Sequence, residues 1–198
     1  ILKAFHKRKI STFLVTNSQY PEQIKKIDKV TQLYLSIDAP NKELMKKIDR
    51  PLFSDFWERM LKCLNLLKTR KYRTCIRLTM IKNENMRDEK GYAELIKRGE
   101  PDFIELKSYV WVGESQNYYQ VKNMPNMEEM KKFMNNLLKK LPEYEYVREH
   151  IPSRAILLMK KSLKKKCWIN FPKFFDMIEQ NKKFTAEDYC SKMIQPNK

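Results

Sequence analysis

The sequence predicts an α/β fold built on a parallel sheet. Three observations lead there. Four β-branched or apolar runs recur as far as Leu141. Helical stripes separate them, and strand-helix-strand order with right-handed crossovers makes neighbouring strands parallel. The runs end in polar residues, and ligands of such sheets bind at the C-terminal ends of the strands.

The first expected strand is Ile10–Thr16 (ISTFLVT), closed by Asn17-Ser18. Gln32–Ile37 (QLYLSI), Thr74–Ile81 (TCIRLTMI) and Phe103–Lys107 (FIELK) are the next three. Phe53, Phe56, Trp57, Met60, Leu61, Leu64 and Leu67 recur at helical spacing and predict a helix over Pro51–Thr69. Asp49 is its expected N-cap, with Pro51 in the first turn. A second helix runs from Asp88 to Arg98 and stops at Gly99. A third carries Met127, Met130, Phe133, Met134, Leu137 and Leu138, with Glu128 and Glu129 at its start and Lys139 and Lys140 at its end, as the helix dipole favours. Beyond Leu141 the pattern changes. Tyr144–Arg148 and Ala155–Lys160 flank Ile151-Pro152-Ser153 and predict a hairpin. Phe171, Phe174, Phe175 and Ile178 predict a last helix, before a polar end expected to fray.

A parallel strand buried on both faces should be apolar throughout. Three of these carry polar residues at i and i+2 near their C-terminal ends: Ser36 and Asp38, Arg77 and Thr79, Glu105 and Lys107. Alternation puts each pair on one face. Asn17 closes the first strand on the face of Phe13 and Val15. Charge is therefore aimed at one point from several strands, which predicts a binding site. The alternative is a self-satisfied ion network, with Glu105 simply pairing Arg77.

With 41 Lys+Arg against 24 Asp+Glu, the net charge of +17 reads either as a match for a polyanionic partner or as the lysine-rich, glycine-poor composition of an AT-rich genome. Lys160, Lys161, Lys164, Lys165 and Lys166 form a KKSLKKK run that reads either as a grip on RNA phosphates or as a solvated turn. Tyr109, Trp111, Tyr118 and Tyr119 read either as stacking partners for an unpaired base or as packing. Cys63, Cys75, Cys167 and Cys190 show no cluster or zinc spacing, and Cys63 and Cys75 are expected to be structural thiols. The sequence holds no HExxH, GxGxxG, GxxxxGK or GxSxG. No residue stands out as catalytic, and no metal-ligand set is present. No apolar run is long enough for a membrane span. Ile1 is read as a cut inside a longer protein.

Several segments carry a family resemblance. FLVTN (Phe13–Asn17), QLYLSIDAP (Gln32–Pro40), KKIDRPLFSDFWERML (Lys46–Leu61), YRTCIRLTMIK (Tyr72–Lys82), PDFIELK (Pro101–Lys107), VGES (Val112–Ser115) and LPEYE (Leu141–Glu145) occur in this order. Together they resemble the C-terminal part of tRNA-4-demethylwyosine synthase, over roughly residues 1 to 180.

The resemblance implies a partial radical-SAM-type (βα) barrel, of which this chain supplies strands three to six, with a small C-terminal α+β extension. Residues 1–125 would belong to the barrel, 126–181 to the wyosine-base-forming region and 182–198 to a tail. The implied chemistry is radical cleavage of S-adenosylmethionine at a 4Fe-4S cluster. It condenses N1-methylguanosine of phenylalanine tRNA with a two-carbon unit from pyruvate, in the cytoplasm. The cluster cysteines, the segment that meets the methionine amine and the pyruvate lysine lie upstream of this chain in the family. So does a flavodoxin-like reductase domain in eukaryotic members, for which FMN is the cofactor expected. The chain alone is thus expected to be inactive, with an uncovered sheet edge and apolar face. By the resemblance, Asn17, Ser36, Asp38, Arg77 and Thr79 stand at cofactor-facing strand ends. Arg77 would meet the methionine carboxylate, and Ser36 and Asp38 the ribose or amine. Glu105 and Lys107 would stand where adenine or substrate approaches. Ser108–Trp111 departs from the shorter side chains typical before the GES segment. A non-catalytic basic RNA-binding module of the same fold is the alternative function.

Overall fold

Leu33 and Leu35, Ile76 and Leu78, and Ile104 and Leu106 alternate with polar neighbours, and each is at most 1% exposed. Burial of that one face organises the chain. The structure, a computed structural model, describes residues 1–192. The elements run α1 (Leu2–Lys7), β1 (Phe13–Thr16), α2 (Pro21–Lys25), β2 (Gln32–Ser36), α3 (Lys42–Asp49), α4 (Phe56–Lys68) and β3 (Arg73–Met80). Then come α5 (Glu89–Gly99), β4 (Phe103–Ser108), α6 (Met127–Leu138), β5 (Tyr144–His150), β6 (Ala155–Lys160), β7 (Trp168–Ile169), α7 (Phe171–Glu179), α8 (Ala186–Tyr189) and β8 (Cys190–Ser191).

The main sheet has the order β1-β2-β3-β4-β6-β5. The first four strands are parallel, and the β5–β6 hairpin adds to β4 antiparallel. The mixed α/β architecture expected from the sequence is present. Side chains of α3, α4, α5 and α6 join those of β2, β3 and β4 in one core, among them Met45, Met60, Leu64, Tyr92, Ile96 and Phe133. Burying a Leu- or Phe-sized side chain stabilises by about 1.5–3 kcal/mol, so this face holds the fold together.

The opposite face is covered only in part. At its lower end Cys75, Phe103, Met159 and Leu163 pack together. Arg73 is nearly enclosed there. Its Nε donates to Gln32 Oε1 at 2.9 Å, and its guanidinium lies 4.1 Å from the Phe103 ring centroid. The C-terminal segment closes that end. The Arg73 N–H donates to Tyr189 Oη at 2.7 Å, and that hydroxyl donates to the Thr31 carbonyl at 2.9 Å. On the edge strand Phe13 and Val15 are each 47% exposed, so this face is open along β1, as expected.

Two helix ends differ from the sequence reading. The helix expected over Pro51–Thr69 starts at Phe56 with Asp55 as N-cap, and Asp49 closes α3 instead of capping α4. Proline disfavours helical geometry in the residue before it, and Arg50 takes the left-handed conformation (φ 45°), so the chain breaks there. Gly99 lies inside α5, and Glu100 takes the left-handed position (φ 43°). Glycine at 99 serves close packing instead. A Cβ there would stand 2.8 Å from Leu64 Cδ2 and 3.2 Å from Ile76 Cδ1. The expected tail over 182–198 begins with ordered structure, since α8 and β8 fall within it. Residues 193–198 lie outside the described residues.

Asn85 binds the upper ends of β2 and β3 together. It is fully enclosed. Its Oδ1 accepts from Ile81 N–H at 2.6 Å, and its Nδ2 donates to the Asp38 and Thr79 carbonyls at 2.8 and 2.7 Å. Alanine would leave three backbone groups without their partner. Asn85→Ala should cost about 2–4 kcal/mol, read from urea unfolding. A loss well under 1 kcal/mol would mean that water replaces the amide.

Candidate functional site

Strand register brings the predicted polar residues together. Ser36, Arg77 and Glu105 are direct neighbours on β2, β3 and β4. They form one row across the open face. Thr79 and Lys107 pair in the next row toward the strand ends. Asp38, just beyond β2, joins that row by accepting the Thr79 N–H at 3.1 Å.

Arg77 is the centre of the row. Its Nε donates to Glu105 Oε2 at 2.6 Å, and its guanidinium lies 4.8 Å from the Tyr34 ring centroid. The ion pair weighed from sequence therefore exists. It uses only one edge of the guanidinium. The two terminal nitrogens have no hydrogen-bond partner among the described residues, and the side chain keeps 27% exposure. The Lys107 side chain likewise has no hydrogen bond or ion pair among the described residues, and the same holds for the side chains of Asn17 and Ser36.

Asn17, Ser36 and Asp38 also line a pocket of about 320 Å³ at the ends of β1 and β2. Gln19, Asp49, Arg50 and Phe53 complete its working walls. Arg77, Thr79, Glu105 and Lys107 stand on the sheet face rather than in this lining. Larger hollows lie elsewhere. One of about 770 Å³ is bounded by α1, α2 and α7 and contains none of the strand-end residues. Size alone does not pick the site; the convergence of polar side chains at strand ends does.

Two carboxylates in the pocket resist ionisation. Burial raises the Asp38 pKa, opposed by its hydrogen bonds to Thr79 and by the Arg77 charge. Although solvent reaches Asp49, the protein around its carboxyl and then the Asp38 charge push its pKa up to about 7. Its place at the C-terminus of α3 acts in the same direction, since the helix dipole disfavours an anion there.

Residues 1–96 match the Radical SAM superfamily, and residues 98–160 match the Wyosine base formation family. The S-adenosyl-L-methionine-dependent tRNA 4-demethylwyosine synthase TYW1 of Mus musculus is 41% identical over 98% of this chain. The corresponding synthase of Schizosaccharomyces pombe is 43% identical over 94%. The chain belongs to the tRNA 4-demethylwyosine synthase family. A solved structure of TYW1 with a lysine–pyruvate adduct bound superposes with a TM-score of 0.73 at 34% identity, covering 81% of this chain and 51% of that one. A structure of archaeal TYW1 gives a TM-score of 0.67 at 33% identity. The chain spans 29% of the length of each of the two curated synthases. With the family match, the sheet is identified as part of a radical-SAM-type partial barrel, and the polar row lies on its inner face.

The synthase family implies an iron–sulfur cluster, and this chain's donors do not fit one. Among the described residues no group of three His, Cys, Asp or Glu side chains converges. Cys63 and Cys75 are enclosed, and Cys63 is pushed up to about 12 by burial. Both are structural thiols, as expected. The donor set fits S-adenosylmethionine better. A half-satisfied guanidinium, an unpartnered hydroxyl and amide, and two carboxylates match a carboxylate, a ribose and an ammonium.

The lysine run lies apart from this site. Met159, next to Lys160, pairs with Phe103 at the start of β4, whereas Lys107 is near its end. Four residues of strand separate the two rows, roughly 13 Å. Lys160 is also engaged with Glu100 at 3.6 Å, while Lys161, Lys164 and Lys165 are exposed. Tyr109 is enclosed and hydrogen-bonded to Ser115, so packing is its role. Gln19, Asp49 and Arg50 escaped the strand-end argument because they lie in a connection or at the end of a helix, off the strands whose period marks the face. The IDRP segment was visible, but its aspartate suited a helix cap equally well.

The Asp49 shift gives a pH signature. An acid whose folded pKa is raised costs stability once pH rises above its unfolded pKa, about 3.9, until it passes the folded value near 7. Asp49→Asn should therefore be close to neutral at pH 4 and raise the melting temperature at pH 8. Equal melting shifts at both pH values would contradict the assignment.

Proposed function

We propose that this chain forms the cofactor- and substrate-facing part of a tRNA 4-demethylwyosine synthase. The full protein would condense N1-methylguanosine of phenylalanine tRNA with a two-carbon unit from pyruvate. The observation that carries the reading is Arg77, fixed at Nε by Glu105 with its terminal N–H edge open.

Each residue has a derived task. Arg77 presents two parallel N–H donors, the geometry that binds a carboxylate in bidentate fashion. Glu105 balances its charge and prevents the guanidinium from rotating. Ser36 and Asn17 offer a hydroxyl and an amide to ribose oxygens. Asp38, locked by Thr79, accepts from an ammonium or a ribose hydroxyl. Lys107 supplies an unbalanced cation beside the adenine or the substrate. Bound S-adenosylmethionine, with a 4Fe-4S cluster held outside this chain, supplies the one-electron chemistry. We place the pyruvate lysine and an FMN-carrying reductase domain upstream as well. The reaction would take place in the cytoplasm, and no helix among the described residues is long and apolar enough to cross a membrane. A formal net charge of +17 suits a tRNA substrate, and we assign Lys160, Lys161, Lys164, Lys165 and Lys166 to phosphates remote from the reacting base. Residues 126–181 are assigned to wyosine-base formation, residues 1–125 to the barrel and 182–198 to the tail.

The test uses the full-length protein. Arg77→Lys keeps the charge but loses the two-pronged geometry. Each lost charge-assisted bond is worth about 1.5–3 kcal/mol. The Kd for S-adenosylmethionine should rise at least tenfold, with the melting temperature nearly unchanged. An unchanged Kd with a lowered melting temperature would make the Arg77–Glu105 pair structural. Binding of tRNA without any S-adenosylmethionine cleavage by wild-type protein would favour the RNA-binding module instead.

A further inference from the structure

Two connections meet over the upper end of the sheet, and their contact has no structural charge partner. Arg50 ends α3 in the left-handed conformation and lines the strand-end pocket. Its guanidinium lies 3.1 Å from the ring centroid of Tyr118, in the connection between β4 and α6. Arg50 forms no hydrogen bond or ion pair among the described residues. Asp49 beside it and Asp38 across the pocket leave it unbridged. Tyr118 is 57% exposed. A cation stacked on an open ring, with its N–H edge unused, is a poor device for stability and a good one for recognition.

The connection that carries Tyr118 is braced by its own contacts. Trp111 Nε1 donates to the Tyr119 carbonyl at 2.8 Å, and Ser115 Oγ donates to the Val112 carbonyl at 2.6 Å. Tyr109 and Tyr119 pack edge to face at 5.4 Å between centroids. Asn123 fastens the connection to the one after β3, donating from Nδ2 to the Lys82 carbonyl at 3.0 Å. Lys47 and Glu84 tie α3 to that same connection. The backbone that carries the ring is thus fastened on both sides and the ring meets the guanidinium before any partner arrives, so little ordering of the connection opposes binding.

We propose that the Arg50–Tyr118 stack is an RNA contact at the pocket mouth. Its exposed planar surface stacks an unpaired base next to the reacting nucleotide, and the free N–H edge of Arg50 meets the adjoining phosphate. The chemistry is the usual one for single-stranded RNA: aromatic and guanidinium planes for bases, cations for the backbone. The occupant is argued from charge, since a chain carrying +17 attracts a polyanion. This contact is separate from the lysine turn at the other end of the sheet. The inference rests on the tRNA-modifying reading above.

The experiment titrates fluorescein-labelled phenylalanine tRNA into the full-length protein and reads anisotropy over a series of salt concentrations. Tyr118→Ala should weaken binding roughly 5- to 100-fold, the worth of one stacked base, and leave the salt slope unchanged. Tyr118→Phe should bind within about twofold of wild type, which ties the loss to the ring. Arg50→Gln should weaken binding and lower the log–log salt slope by about one, the loss of one phosphate contact. Affinities for Tyr118→Ala and Arg50→Gln equal to wild type overturn the proposal while leaving the tRNA-modifying reading intact. No tRNA binding by the wild-type protein overturns both. Circular dichroism melts of the same samples show whether a weakened variant is folded. If Tyr118→Ala unfolds, the Arg50→Gln salt slope decides, and an unchanged slope overturns the proposal.

Discussion

Arg77 sits on the third of four parallel strands, where an apolar residue would cost nothing, and the face it occupies depends on how its charge is balanced. A guanidinium taken partly out of water needs a partner, and removing that partner is far costlier than never having built the pair. Glu105 supplies one contact, on the neighbouring strand and in register. The Tyr34 ring supplies a second surface. Neither uses the terminal nitrogens. Arg77 is therefore balanced in charge but left open in hydrogen bonding, and the proposed role as a ligand contact uses that open edge.

The packing on either side explains why the row stays open. Helices cover the opposite face, with Leu, Ile and Met side chains interleaved at full burial. The lower end of the inner face is plugged by Arg73, Phe103 and the C-terminal segment that Tyr189 anchors. The upper end receives instead the connections after β1, β2, β3 and β4. Asn85 holds two strand ends at fixed spacing, and the Lys82–Asn123 contacts hold two connections together. Strand ends fixed this way place Asp38, Thr79 and Lys107 at one level, so the geometry of the row comes from buried amide side chains that grip the strand-end carbonyls.

Much of this was legible in the sequence because period-2 alternation is a strong signal. Ser36 with Asp38, Arg77 with Thr79 and Glu105 with Lys107 could be assigned to a common face before any register was known. The register itself could not, since parallel strands pair through crossovers whose lengths do not fix alignment. The connections were the least legible part. Arg50 adopts a left-handed conformation that its side chain does not advertise, and the α3–α4 break moved Asp49 from an expected cap to a pocket wall. Gly99 looked like a helix stop but serves close packing against Leu64 and Ile76. The lysine run was conspicuous in sequence, yet only the antiparallel pairing of β6 shows that it lies at the opposite end of β4 from the strand-end site.

The central claim is that the open edge of Arg77 waits for a ligand carboxylate. The most direct measurement is a crystal structure of the full-length protein, prepared without oxygen, with S-adenosylmethionine bound. The claim predicts the methionine carboxylate in hydrogen-bond contact with both terminal nitrogens of Arg77, with the Nε–Glu105 bond retained. A protein carboxylate from the rest of the chain occupying that edge, with the cofactor bound elsewhere, would contradict it.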